Sequence, residues 1–125
     1  MNFLLDTHVL VDLLIAPQRV GQGVRRLLAD PRNDVVLSAA SAWEIAIKTS
    51  LGRLRVPDDL ETELLRAGIG SVDITLADAR RAGALPRHHN DPFDRMLVAQ
   101  AQARGMTLVT GDAMLAAYGV QILPA

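Results

Sequence analysis

Four carboxylates drawn from distant parts of the chain, Asp6, Glu44, Asp94 and Asp112, stand beside the ends of apolar runs or the starts of helical ones. Brought together they cannot all stay ionised, because like charges within a few ångströms raise one another's pKa. A divalent cation relieves that repulsion. An all-oxygen donor set suits a hard ion, Mg²⁺ or Mn²⁺, over Zn²⁺. Such an ion keeps open positions, polarises a phosphodiester, and supplies or orients an attacking water. Metal-dependent hydrolysis of a phosphate ester is the reaction class that follows. The acids alone do not choose between a nuclease and a phosphatase.

The elements that must position these acids alternate between short β-type runs and helical ones, the pattern of an α/β fold with a mainly parallel sheet. Phe3-Leu4-Leu5 reads as a first buried strand, followed by a helix over His8–Ile15 that Pro17 prevents from continuing. A second helix over Val20–Ala29 precedes a strand at Val35-Val36-Leu37. Helices follow over Ala42–Leu51 and Asp59–Ala67, then a strand over Ser71–Ile74 and a helix over Leu76–Ala82. Pro92 opens a helix reaching Arg104, Met106–Val109 is a strand, Gly111-Asp112 a turn, and Val120–Leu123 a last strand. In a parallel sheet, helices begin near the edge where strands end, and ligands bind there. This reading puts Asp6 just past the first strand, Glu44 and Asp94 in first turns of helices, and Asp112 just past the fourth strand. All four then meet at one edge.

Each acid also has a purely structural reading. Ser41-x-x-Glu44 matches a capping box, in which the glutamate returns to the serine backbone. Asp91-Pro92-Phe93-Asp94 looks like an N-cap with a second acid favoured by the helix dipole. Asp112 fits turn chemistry, and Asp6-Thr7 a helix start. Four such coincidences on one edge are harder to credit than one. Between the two neighbouring acids, Asp91 is expected to turn inward as the cap, leaving Asp94 to point over the strand ends towards Asp6.

Composition bounds the rest. The 125 residues suit one domain over positions 1–125, and with 50% apolar residues a single core is readily buried. The absence of cysteine excludes disulfides and thiolate metal sites. No run approaches the roughly 18 apolar residues of a membrane span, and no signal peptide is recognisable, so a cytoplasmic protein without membrane contact is expected. Net charge is −1, yet setting the four acids aside leaves 10 Asp and Glu against 13 Lys and Arg, a balance of +3. That permits an RNA-binding surface without demanding one.

Four blocks of sequence narrow the choice: Leu4-Leu5-Asp6-Thr7-His8, Ser41-Ala42-Trp43-Glu44-Ile45, His89-Asn90-Asp91-Pro92-Phe93-Asp94-Arg95-Met96-Leu97-Val98-Ala99-Gln100-Ala101, and Leu108-Val109-Thr110-Gly111-Asp112. In this order, and across nearly the whole chain, they resemble PIN domains, in particular the VapC-type toxins of prokaryotic toxin–antitoxin pairs. The resemblance implies a three-layer sandwich with a five-stranded mainly parallel sheet between helices. It also implies Mg²⁺- or Mn²⁺-dependent endoribonuclease activity, a homodimer, and a cognate VapB-like antitoxin. By position, Asp6 and Asp94 match the principal metal ligands, and Glu44 and Asp112 the acids that complete the site. Thr110 matches a small hydroxyl residue near the pocket that orients Asp6. Asp91 is an additional acid present in part of the family.

Other residues carry two readings each. Lys48, one turn beyond Glu44, is either an i,i+4 ion pair or a cation reaching the scissile phosphate. His88 and His89 read first as a solvated loop pair, second as phosphate contacts or ligands. Arg25-Arg26 and Arg80-Arg81 read as exposed helix faces with a possible role on RNA backbone. Trp43 reads as core or interface packing, and Val9, Leu10, Leu13 and Leu14 as core or a dimer face. Rival functions fit less well. A haloacid-dehalogenase phosphatase wants an acid two residues after Asp6, where His8 stands. A response-regulator receiver lacks its expected Asp and Lys. A PIN-like module that binds RNA or protein without cutting usually lacks one of the acids, and another metal-dependent phosphoesterase stays open.

Overall fold

A computed structural model describes residues 1–125. Its strands are β1 (Asn2–Leu5), β2 (Asp34–Ser38), β3 (Gly70–Val72), β4 (Thr107–Thr110) and β5 (Ile122–Pro124). Its helices are α1 (Thr7–Ile15), α2 (Gln22–Ala29), α3 (Ala39–Ser50), α4 (Leu60–Ala67), α5 (Leu76–Ala84) and α6 (Pro92–Arg104), with 3₁₀ segments at Pro17–Arg19 and Ala113–Tyr118. The five strands form one sheet in the order β3-β2-β1-β4-β5, and every pairing is parallel. The expected α/β architecture and five-stranded sheet are therefore present. No helix is long and apolar enough to cross a membrane.

A parallel sheet has to be covered on both faces, because its crossovers are helices. Side chains alternate along each strand, so neighbours feed opposite faces. Phe3, Leu5, Val35, Leu37 and Val109 pack with Val9 and Leu10 of α1, Ile45 of α3, and partly buried side chains of α2 and α4. Leu4 and Leu108 face the other way, onto Leu97, Val98 and Ala101 of α6 and Leu115 and Tyr118 of the second 3₁₀ segment. The result is three layers. Val9 and Leu10 are core, and Leu13 and Leu14 pack partly buried against them, so the α1 apolar face is used inside the chain.

Several boundaries differ from the sequence expectation, each for a local reason. Ser38, at the last position of β2, caps α3 by accepting from the Ala40 N–H at 3.0 Å, so the helix begins three residues early. Ser41 is then inside the helix and its hydroxyl accepts from Thr7 Oγ1 at 2.8 Å, which removes the Ser41–Glu44 capping box and places Glu44 in the second turn. The capping box that does form is Thr75 with Asp78 on α5. Pro17–Arg19 adopts a 3₁₀ turn, which delays α2 to Gln22. At the far ends of α4 and α6, Gly68 and Gly105 take positive φ of 71° and 62°, the left-handed closure that a side chain resists.

Candidate active site

β1 and β4 lie side by side with Leu5 opposite Val109, and the next pair in that register is Asp6 and Thr110. Asp6 N–H continues the ladder to the Val109 carbonyl at 2.9 Å. Its side chain caps α1, with Oδ1 accepting from the His8 N–H at 3.2 Å, while Oδ2 accepts from Thr110 Oγ1 at 2.5 Å. The same Thr110 oxygen accepts from the Asp112 N–H at 3.0 Å. Thr110 thus ties the acid after β1 to the backbone of the acid after β4. Asp6 is buried, with 8% exposure.

Asp91 is the N-cap of α6: its Oδ1 accepts from the Phe93 N–H at 2.8 Å and the Asp94 N–H at 3.2 Å. Asp94, three residues on, is left without a capping duty. Its carboxyl is pushed up to about 7, first by burial, then by the charges of Asp6, Asp91 and Glu44, with His89 opposing. Those causes show that Asp94 feels three other acids at once. Glu44, buried on α3, accepts a 2.8 Å hydrogen bond from Lys48, and this bond, reinforced by Glu44, Asp91 and Asp94, holds the ammonium above the ordinary lysine value. Lys48 is therefore an i,i+4 partner of Glu44 and lies in the field of the whole cluster. Asp112, the most exposed of the four at 34%, caps the second 3₁₀ segment through the Met114 N–H at 3.0 Å.

These side chains line one cleft of about 820 Å³, which holds Asp6, Glu44, Lys48, Asp91, Asp94 and Asp112 together with Asp12, Arg19 and Arg53. All four acids singled out in the sequence are brought together. Two features were missed. The cleft has a cationic rim of Arg19 and Arg53, both exposed, of which Arg19 pairs loosely with Asp12 at 3.7 Å and Arg53 makes no ion pair. And His89 is no solvated loop residue: its ring, 18% exposed, sits 3.1 Å from Asp112 and 3.5 Å from Asp94. His88 stays exposed, edge-on to Tyr118. Trp43 is 62% exposed and edge-on to Phe93, so its core reading does not hold. Arg25, Arg26, Arg80 and Arg81 are exposed as expected and lie outside the cleft.

A model of the PIN domain matches residues 3–121, a span that takes in β1 from Phe3, all of β2, β3 and β4, and all four acids, and stops just before β5.

The chain belongs to the PIN domain family.

Within the family, it is 41% identical over 68 residues to Ribonuclease VapC16 of Mycobacterium tuberculosis (strain ATCC 25618 / H37Rv), a match covering 50% of this chain and 48% of that protein. The match thus spans about half the length of that relative. Two solved structures share this PIN domain's fold nearly end to end. VapBC2 from Rickettsia felis, bound to a promoter DNA fragment, superposes with a TM-score of 0.74 at 16% identity, covering 99% of this chain and 98% of that one. DNA-bound VapBC from Salmonella typhimurium gives 0.72 at 16% identity, with the same coverage.

Proposed function

We propose that this PIN domain is a metal-dependent endoribonuclease of the VapC toxin type, with Asp6, Glu44, Asp94 and Asp112 as its catalytic acids. The observation that carries the reading is that four carboxylates from distant parts of the chain line one cleft. Burial and three neighbouring acids hold the Asp94 carboxyl up at about 7, so the cleft concentrates more negative charge than it compensates. A cation is the natural complement, and the all-oxygen donor set of the acids fits Mg²⁺ or Mn²⁺. Asp6 and Asp94 are the direct ligands in this reading, and Glu44 and Asp112 complete the site. When bound, the ion polarises the scissile phosphodiester and lowers the pKa of a water.

The chain's own groups do the remainder. Thr110 fixes one Asp6 oxygen, so the carboxylate presents a set orientation to the cleft. Lys48 neutralises part of the Glu44 charge and stands at the mouth, 47% exposed, where a phosphate oxygen can reach it. Arg19 and Arg53 on the rim are placed for contacts with flanking phosphates, which position a strand without reading its bases.

Partners belong to the same reading. The two structures named above hold VapBC, which supports a VapB-like antitoxin as partner; in this reading it covers the acidic cleft, with a cationic side chain among the carboxylates. A homodimer is also proposed; exposed Trp43, Leu65, Leu76 and Met114 provide apolar area for protein contacts. The test is cleavage of structured RNA by the purified protein in Mg²⁺ or Mn²⁺, with loss in EDTA and in Asp6→Asn. Normal cleavage by Asp6→Asn contradicts the assigned site, and RNA binding without cleavage by the wild type favours the non-cutting module.

A further inference from the structure

His89 has a partner for every polar atom. Its backbone N–H donates to the Tyr118 hydroxyl at 2.9 Å, and its carbonyl accepts from Arg95 Nη1 at 3.3 Å and from Tyr118 Oη at 3.4 Å. In the ring, Nδ1 accepts from the Asp91 N–H at 3.1 Å, and Nε2 lies 3.1 Å from Asp112 Oδ2. Arg95, only 6% exposed, has no carboxylate partner. Its guanidinium instead donates to the carbonyls of Ala82, Leu85 and Pro86 at 2.9, 3.0 and 3.0 Å, which ties the end of α5 to the loop carrying His89. The 3₁₀ segment between Asp112 and Tyr118 then grips His89 from both ends, the ring at one and the backbone at the other.

The direction of the Nδ1 bond decides what the ring can do. A neutral imidazole carries one N–H, and a nitrogen that accepts a backbone N–H cannot carry it, so the proton sits on Nε2. Histidines that ligate metals show the opposite arrangement: the far nitrogen donates, and the near one offers its lone pair. Nε2 of His89 and carboxylate oxygens of Asp94 and Asp112 do lie within 4.8 Å of one another, a spacing that suits a metal. Yet the ring turns a proton towards the two acids. We propose that His89 is a positioning residue of this site: its Nε2–H orients the Asp112 carboxylate, and Arg95 and Tyr118 hold His89 in place to do so.

Asp112 depends on that partner for its second oxygen. Its Oδ1 is engaged by Met114, and without His89 its Oδ2, at the open side of the cleft, would have no protein donor. With both oxygens engaged, the carboxylate keeps one rotamer and completes the metal site without having to be ordered on binding. The proposal rests on the metal-site reading given above for Asp112.

Two measurements on the whole chain test it, neither involving RNA. Nitrogen-15 shifts of the His89 ring are read with and without Mg²⁺; Nδ1 is expected to be the unprotonated nitrogen and Nε2 the protonated one in both states. A switch of the proton to Nδ1 on adding Mg²⁺ overturns the proposal in favour of direct ligation. Calorimetric titration with MgCl₂ then compares the wild type with His89→Ala and His89→Gln, the latter retaining an N–H donor at similar reach. His89→Ala is expected to weaken Mg²⁺ binding by about 10-fold, within the range for outer-shell partners, and His89→Gln to recover most of it. Equal loss in both variants, or none in either, overturns the proposal. A wild type that binds no Mg²⁺ overturns the underlying metal reading, whereas tight Mg²⁺ binding without RNA cleavage overturns only the nuclease.

Discussion

Replacing Asp94 by Asn should make the metal-free protein more stable at pH 8, with a clearly smaller gain at pH 5. The folded-state carboxyl stands at about 7, against an ordinary value of 3.8. Taken whole, that difference corresponds to roughly 4 kcal/mol, at 1.36 kcal/mol per unit. The side chain is 19% exposed and opens onto a wide cleft, so solvent screening reduces the usable part to about 1–2 kcal/mol. The folded state binds this proton more tightly than the unfolded chain does, so stability is lost as pH rises from about 4 through 7 and the full cost is present above it. Asparagine carries no charge to repel. For a chain of this size the gain at pH 8 is roughly 3–10 °C in Tm. The assay is urea or thermal unfolding of both proteins in EDTA at pH 5 and pH 8, repeated at pH 8 with saturating Mg²⁺. The ion stabilises only the protein that binds it, so the order of the two should narrow or invert. If the wild type gains nothing relative to Asp94→Asn on going from pH 8 to pH 5, the acids do not repel one another and the argument for a cation at this cleft fails.

Asp91 should separate cleanly from Asp94. Asp91→Ala should cost about 1 kcal/mol of stability through the lost cap, while Asp91→Asn, an equally good cap, should stay near the wild type in urea midpoint and keep most of its cleavage. If Asp91→Asn is inactive and Asp94→Asn active, the two roles are exchanged. Thr110→Val removes the donor that fixes Asp6 while keeping the side chain's shape; Mg²⁺ affinity by calorimetry should fall about 10-fold, with less than roughly 2 kcal/mol lost in stability. Unchanged affinity would mean that Asp6 needs no help to hold its orientation.

The sheet was legible because its central strands are short, largely apolar runs; Asp6 follows one of them directly and Asp112 another after a single glycine. The Asp91 cap was legible too, since Pro92 fixes the helix start. The start of α3 was not. Two serines compete for its cap, and the winner is decided by where β2 stops and by Thr7, a residue 34 positions away that engages Ser41. Glu44 reaches the cleft from the second turn all the same, because the cleft lies alongside that helix. His89 escaped detection for a similar reason. Its partners Asp112 and Tyr118 lie 23 and 29 residues further on, and nothing local distinguishes it from the solvated His88 beside it. The Asp91 N–H that its Nδ1 accepts is local, but two residues of spacing alone do not announce that bond. Arg95 was visible only as one letter of a motif, its role depending on five carbonyls gathered from outside its own helix.

The strand order has a practical consequence. β1, β2 and β3 lie on one side of the β1–β4 pairing, β4 and β5 on the other. A single cut between β3 and α5, at residues 73–75, therefore divides the acids evenly: Asp6 and Glu44 go with the first piece, Asp94 and Asp112 with the second. Neither piece holds more than half of the cleft. Any activity regained on mixing two such fragments must come from β4 docking against β1, with Leu5 meeting Val109, so reconstitution becomes a direct reporter of that one seam.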